Sequence, residues 1–233
     1  NEYIPKNYNG KFSGMVSMRQ ALARSLNIPA VETLYLVGID YCLEFSKKLG
    51  ITSLENNRNR FGLSLALGVG EISLLEETAA FSVFANDGVM NPVKGIKIIK
   101  NGNGDILFNS EDLKSKIVIN DQVARKINSI LSDNQARSAV FGSRSPLYIE
   151  GKVVAAKTGT TQENRDGWTV GYTPSVAVGV WVGNNDNRQM KAGADGIYVA
   201  APLWNEFMKW VTEKYPAQDF RVAQRMEVLP KGA

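Results

Sequence analysis

The sequence predicts an α+β fold: a helical block first, then an antiparallel sheet flanked by helices. Three observations predict it. Between residues 17 and 132 most apolar positions fall into helical runs with recognisable start and stop signals. Between 152 and 183 they fall into three strand-like runs parted by tight polar turns. Those turns are too short for a crossover, so the three strands are antiparallel neighbours.

The elements follow in order. Residues 1–14, rich in Asn, Lys, Gly and Tyr, read as a loop. Ser17 is placed to cap a short helix containing Met18, Ala21, Leu22 and Ala23, which ends at Ser25-Leu26-Asn27. Pro29 suits the first turn of a second helix over 29–37, with Gly38 at its C-terminal end. Asp40 can cap a third helix ending at Gly50, and residues 51–63 read as polar and irregular. Ser73-Leu74-Leu75-Glu76 is a capping-box pattern. The helix behind it carries Leu75, Ala79, Phe81, Val83 and Phe84 and stops at Asn86-Asp87-Gly88. Alternation on either side of Asn101–Asp105 predicts a hairpin over 93–108. Asp121 can cap a helix to about 132, and 133–150 reads as a long loop. Strands are predicted over 152–158, 166–172 and 175–183, the last with Val176, Val178, Val180 and Val182 on one face. An amphipathic helix over 199–214, entered through Pro202, follows the sheet.

Composition limits the chemistry. With 44% hydrophobic and 21% charged residues, the 233-residue chain can bury a sizeable core and is neither disordered nor fibrous. The 27 basic residues exceed the 23 acidic ones by four, and they are scattered, so no nucleic-acid partner is expected. The one cysteine, Cys42, excludes an internal disulfide and reads as a small buried hydrophobe. There is no histidine. That excludes Ser-His-Asp and Cys-His hydrolases and most zinc sites. No metal and no cofactor are expected, and a serine nucleophile would need another base, with lysine the leading candidate. No run of 18 apolar residues is present.

One stretch carries chemistry: "AAKTGTTQENRDGWTVGY", where a strand ends on Lys157-Thr158-Gly159. This matches the K-T-G element of penicillin-recognising serine enzymes. Upstream, Ser25-Leu26-Asn27 fits the S-x-N slot of the same motif set. Ser-x-Asn alone carries no weight; its value lies in its place at a helix end, before a helical block and the K-T-G strand.

With these motifs, the chain resembles the transpeptidase domain of class A penicillin-binding proteins. The likeness also runs through "SMRQALARSLNIPAV" (17–31), "LALGVGEISLLEETAAFSVFANDGVMNPV" (65–93), residues 155–186 and "AAPLWNEFM" (200–208). It covers most of residues 1–215, which are expected to form the C-terminal portion of such a domain, with 216–233 as a tail. The fold it implies is the penicillin-binding-protein and serine β-lactamase type, here as a partial domain. The departure is as informative. No serine in the chain has a lysine three residues later, so the family's S-x-x-K nucleophile motif is absent. The chain opens on Asn1 and is expected to be a piece of a longer protein that supplies it; alone, it is expected to be inactive.

The resemblance assigns roles. Ser25 would relay a proton toward the leaving amine. Asn27 would hold a substrate amide through its donor and its acceptor. Lys157 would add positive charge beside Ser25 and the substrate carboxylate. The hydroxyls of Thr158 and Thr160 would bind that carboxylate, with Thr161 beside them. Thr160 N–H would be half of an oxyanion hole, and Gly159 would let substrate lie against the strand edge. Asp166 is expected to orient the turn through backbone N–H groups, and Trp168 and Trp181 to pack the sheet. The partners implied are peptidoglycan stem peptides of D-Ala-D-Ala type, β-lactams and cell-wall synthesis proteins. A preceding glycosyltransferase domain and an N-terminal membrane anchor would place the site outside the cytoplasmic membrane. Two alternatives stand beside the D,D-transpeptidase reading: a degenerate homologue that binds cell-wall peptide or scaffolds partners, and a D,D-carboxypeptidase or β-lactamase-like hydrolase.

Overall fold

A computed structural model describes residues 4–54, 60–216 and 218–224. The chain enters through an extended segment and turns into α1 (Met18–Ala23). Ser17 caps this helix as expected, and Gln20 completes a capping box beyond that expectation, with Gln20 N–H donating to Ser17 Oγ and Ser17 N–H to Gln20 Oε1. Its other end is a Schellman closure: Ser25 N–H bonds Leu22 O and Leu26 N–H bonds Ala21 O. Ser25 occupies the left-handed position, at φ +55°. The helix α2 (Asn27–Val37) follows at once, so Asn27 is its first residue rather than a residue leading up to a start at 29. Gly38 ends α2 and begins α3 (Ile39–Lys48). Asp40 therefore sits inside the first turn instead of capping it.

A short 3-10 segment, Leu63–Leu67, begins at the end of the irregular stretch expected over 51–63, of which 55–59 lie outside the described residues. Helix α4 (Leu74–Ala85) starts on Ser73 as predicted. Glu76 also reaches back to the preceding loop. Burial pushes its carboxyl up, but hydrogen bonds from Ser53, from the N–H and hydroxyl of Thr52, and from Ser73 N–H outweigh it and hold it at about 2. The strands β1 (Val89–Met90), β2 (Ile98–Lys100), β3 (Ile106–Asn109) and β4 (Lys116–Ile117) form two antiparallel ribbons, β2 with β3 and β1 with β4. The first is the expected hairpin, its turn knotted by Asn101 Oδ1, which accepts from Asn103 and Asp105 N–H.

Helix α5 (Asp121–Leu131) is capped by Asn120, not Asp121; the latter pairs with Arg125 one turn on. Residues 134–141, expected as loop, form α6 (Asn134–Phe141), capped by Asp133 Oδ1 on Ala136 N–H at 2.8 Å. The main sheet is β5 (Ala155–Thr160), β6 (Asp166–Thr173) and β7 (Val176–Gly183), in that order and antiparallel throughout. A short α7 (Gly196–Val199) precedes α8 (Ala201–Lys214), which carries Pro202 in its first turn.

Packing is layered, as one apolar face per element requires. Trp204, Met208 and Val211 of α8 pack with Ala156, Val178, Leu147 and Ile149 on one side of the sheet. On the other side, α4 lies so close to β7 that a Cβ on Gly179 would collide with Thr78. A second apolar cluster joins α3 and α4 through Leu43, Leu49, Ala80 and Val83. Between α4, α5 and β6, Asn128 is fully buried: its Nδ2 donates to Phe84 O at 2.9 Å and its Oδ1 accepts from Tyr172 OH at 2.8 Å. Residues 218–224, expected as tail, lie on this region. The Phe220 ring meets Tyr172 edge-on at 5.7 Å, and Arg221 pairs with Asp87.

Candidate active site

The left-handed turn at Ser25 points its hydroxyl at β5. Lys157 Nζ donates to Ser25 Oγ at 2.6 Å and to Thr158 O at 2.7 Å. The two motifs, 132 residues apart, are thus one constellation. Burial pushes the Lys157 ammonium down from 10.5 to about 8, and the nearby Arg137 guanidinium pushes the same way. Arg137, on α6, is itself buried and is lowered by that burial to about 10, with Asp133 opposing. It donates to Leu131 O, and its Nη1 has no partner among the described residues. Sequence reading missed Arg137 because it treated α6 as loop; the Asp133 cap three residues before Ala136 was the available signal.

Among the described residues β5 is an edge strand. Thr161 N–H bonds Asp166 O, which fixes the hydrogen-bonding parity of the hairpin. Odd-numbered residues of β5 bond inward to β6, and Thr158 and Thr160 turn their backbone groups outward. The contact of Lys157 Nζ with Thr158 O agrees with that parity. Thr160 N–H therefore faces the free edge. Side-chain alternation sets Thr158 and Thr160 on one face. Thr160 Oγ1 accepts from Gly196 N–H at 3.0 Å, which leaves its O–H to donate elsewhere. Gly159 lies opposite Trp168, and a Cβ there would come within 3.3 Å of that residue's Cβ.

Thr161 differs from its expected role. Its hydroxyl donates to Asp166 Oδ2 at 3.1 Å and accepts from Asp166 N–H at 2.9 Å, so it is committed to the turn. The Asp166 carboxylate also accepts from Trp181 Nε1 at 2.8 Å; these two donors to that carboxylate are side chains, not the backbone N–H groups expected. Trp168 and Trp181 pair across β6 and β7, as expected, and also line the cleft.

These residues line a cleft of about 1660 Å³ between the β5 edge, the Ser25–Asn27 turn and α2. Leu34, Leu74 and Phe81 give it an apolar floor, and Glu77, whose carboxyl burial pushes up, lies along it. Cys42 lines the cleft and is only partly buried. Asn27 Nδ2 donates to Lys6 O at 2.9 Å, leaving its second N–H and Oδ1 for a ligand. At the far end Asp195 accepts from Tyr8 OH at 2.8 Å and from Asn164 Nδ2 at 2.6 Å, joining the N-terminal segment to the turn after β5. Neither Tyr8 nor Asp195 carries a sequence signal. No group of His, Cys, Asp and Glu side chains that could hold a metal occurs among the described residues, and none of their helices is long and apolar enough to cross a membrane.

Comparison with known proteins agrees with this geometry. The family model for the penicillin binding protein transpeptidase domain matches residues 2–209. Penicillin-binding protein 1A of Aquifex aeolicus is 36% identical over 222 residues, covering 95% of this chain and 29% of that protein. Penicillin-binding protein 1A of Rickettsia conorii is 30% identical over 243 residues, covering 97% of this chain and 30% of that protein. Among solved structures, penicillin-binding protein 1A from Haemophilus influenzae superposes with a TM-score of 0.77 at 25% identity, over 94% of this chain and 38% of that one. PonA1 of Mycobacterium tuberculosis, solved in complex with penicillin V, gives 0.81 at 22% identity, over 95% and 63%. The chain thus spans about 30% of the length of these curated relatives. With an α+β fold shared with those structures and a family match over nearly its whole length, the chain belongs to the penicillin-binding-protein transpeptidase family.

Proposed function

We propose that this chain forms the substrate-binding wall of a peptidoglycan D,D-transpeptidase, and that the nucleophilic serine comes from an S-x-x-K motif outside these residues. The observation that carries the reading is the Lys157 Nζ to Ser25 Oγ contact at the free edge of β5. In this reading a stem peptide ending in D-Ala-D-Ala lies along that edge. Its terminal carboxylate takes the hydroxyls of Thr158 and Thr160 and the charge of Lys157. Asn27 holds a backbone amide of the peptide.

The chemistry then balances. The serine Oγ–carbon bond forms and its proton passes to the lysine amine of the same S-x-x-K. The oxyanion rests on Thr160 N–H and the serine's own N–H; losing one such donor costs about 3–4 kcal/mol in the barrier. The carbon–nitrogen bond to the terminal D-Ala breaks, Ser25 hands its amine a proton, and Ser25 takes in return the proton held by the S-x-x-K lysine. An amine from a second stem peptide attacks the acyl-enzyme, its nitrogen–carbon bond forms as the carbon–oxygen bond to the serine breaks, and the proton it loses passes through the lysine to the serine Oγ. A β-lactam takes the same path as far as the acyl-enzyme. Carboxypeptidase or β-lactamase activity would differ only in using water as acceptor. A glycosyltransferase domain and an N-terminal anchor would set the site on the outer face of the cytoplasmic membrane, among other cell-wall synthesis proteins.

A second reading is favoured by one fact: the sequence itself contains no S-x-x-K. A degenerate relative would bind cell-wall peptide or scaffold partners without chemistry. Intact mass of the full-length protein after incubation with benzylpenicillin, with the adduct mapped, decides between them. An adduct on a serine outside this chain supports the transpeptidase. A folded full-length protein with no adduct would hand the lead to the degenerate relative. The 233-residue chain alone is expected to form no adduct.

A further inference from the structure

The Ser25–Asn27 turn is held from outside its own sequence. Helix α2 has Leu26 at its N-cap, a residue with no side-chain acceptor, and makes no side-chain cap of its own. The half-buried first turn is instead served by Asn7, 21 residues upstream, whose Oδ1 accepts from Ile28 N–H at 3.2 Å. Pro29, the next residue, has no N–H to satisfy. Asn7 is 6% exposed, unusual for a polar residue in an extended N-terminal segment. Its other amide group donates to Lys11 O at 2.8 Å, and its backbone carbonyl accepts from Gly10 N–H at 2.8 Å. Residues 7–11 are therefore a closed turn with one side chain plugged into the start of α2. The preceding residue, Lys6, presents the carbonyl that receives Asn27 Nδ2.

We propose that Asn7 is a positioning residue: by fixing Lys6 O against α2 it sets which way the Asn27 amide faces the cleft. This rests on the proposed function, in which Asn27 holds an amide of the substrate. The bond to Lys6 O defines the Asn27 side chain as nitrogen toward the strap, with its second N–H and Oδ1 presented to the cleft. Without Asn7 the strap loses its buried anchor, Lys6 O drifts, and Asn27 rotates freely. Ligands that offer an amide to Asn27 then lose a preorganised partner. Ligands that offer none lose little.

The test uses the full-length protein and two covalent probes: benzylpenicillin, which carries an acylamino side chain, and imipenem, which carries a hydroxyethyl group there instead. Second-order acylation rates are measured by intact mass for wild type, Asn7→Ala and Asn7→Asp, alongside thermal melting. The expected result for Asn7→Ala is a loss of about fivefold with benzylpenicillin, the scale of one hydrogen bond, and a change of less than about twofold with imipenem. On an Asn27→Ala background, Asn7→Ala should change the ratio of the two rates no further. A folded Asn7→Ala protein with wild-type rates, or an equal loss on both probes, overturns the proposal. If Asn7→Ala does not fold, Asn7→Asp decides. It keeps the acceptor for Ile28 but loses the donor to Lys11 O. A partial fall in the benzylpenicillin-to-imipenem ratio supports the proposal, and an unchanged ratio overturns it. A wild-type protein that takes up neither probe fails the proposed function itself, and this inference with it.

Discussion

Ser25 sits where helices of this kind end on glycine, and replacing it separates backbone strain from side-chain chemistry. Its φ of +55° is the left-handed position of a Schellman closure, confirmed by the bonds to Leu22 O and Ala21 O. An L-residue with a Cβ pays about 1–2 kcal/mol there relative to glycine. Ser25→Ala and Ser25→Gly both delete the hydroxyl that Lys157 contacts, so that loss cancels in their comparison. What remains is the relief of strain in the glycine variant, offset by about 0.4–1 kcal/mol for the greater freedom of glycine in the unfolded chain. Ser25→Gly is therefore expected to be more stable than Ser25→Ala by about 1 kcal/mol, or roughly 2–4 °C in melting temperature for a domain of this size. Glycine substitutions usually rank below alanine in helical segments, so the sign is diagnostic. Equilibrium denaturation of the two variants measures it directly. An alanine variant as stable as the glycine one, or more so, would refute the assignment of strain to this turn. In the same pair, β-lactam acylation of the full-length protein is expected to fall alike, because in the proposed mechanism the missing hydroxyl and not the backbone would carry the proton.

Two further predictions concern buried polar groups. Lys157 is held at about 8 in the folded protein against an ordinary 10.5. Below pH 8 it is charged in both states and the fold carries the full penalty; between about 8 and 10.5 only the unfolded chain keeps the proton, so the Lys157 contribution to stability rises with pH. The gap in unfolding free energy between Lys157→Met and wild type should shift by roughly 3 kcal/mol in favour of wild type from pH 7 to pH 10.5, and Arg137→Met should move the start of that climb to higher pH. A gap that stays constant with pH refutes it. Asn128→Leu should destabilise by about 2–4 kcal/mol by orphaning Tyr172 OH and Phe84 O, and Tyr172→Phe added to it should recover about half; a melting series with no recovery would show the hydroxyl was not the unsatisfied group.

How much of this was legible depended on distance along the chain. The cap at Ser17 and the capping box at Ser73 could be read because donor and acceptor lie three residues apart. The caps of α3 and α5 were misplaced by one or two residues because each helix has competing candidates there, and Gly38 and Asn120 hold the position that Asp40 and Asp121 could have taken. Helix α6 was missed because its buried residue is Arg137, which a hydrophobic pattern scores as surface. The K-T-G strand and the helix end at Ser25-Leu26-Asn27 were legible as local pattern, but that the two form one site was legible through family resemblance alone. Nothing local in either stretch says that Lys157 reaches Ser25. Thr161 shows the opposite limit: the motif placed it with the ligand-facing hydroxyls, while Asp166, five residues on, takes both of its hydrogen bonds.

The cleft owes its form to elements that each leave something unfinished. An edge strand has backbone groups with no neighbour to pair with. A helix ending on Ser25 has a side chain thrown outward by the left-handed turn. A helix starting behind Leu26 has no cap of its own. Each would be a liability on a plain surface, where unpaired edges and uncapped helices lose stability. Here the deficits face one another. Ser25 Oγ receives Lys157, Asn7 supplies the missing cap, and Lys6 O receives Asn27. The outward N–H of Thr160 and the hydroxyls beside it are the groups left over. In the proposed function, a substrate that brings a carboxylate and an extended peptide backbone would complete the same set of bonds, which would put the binding ledge at the strand edge rather than in the well-packed face behind it.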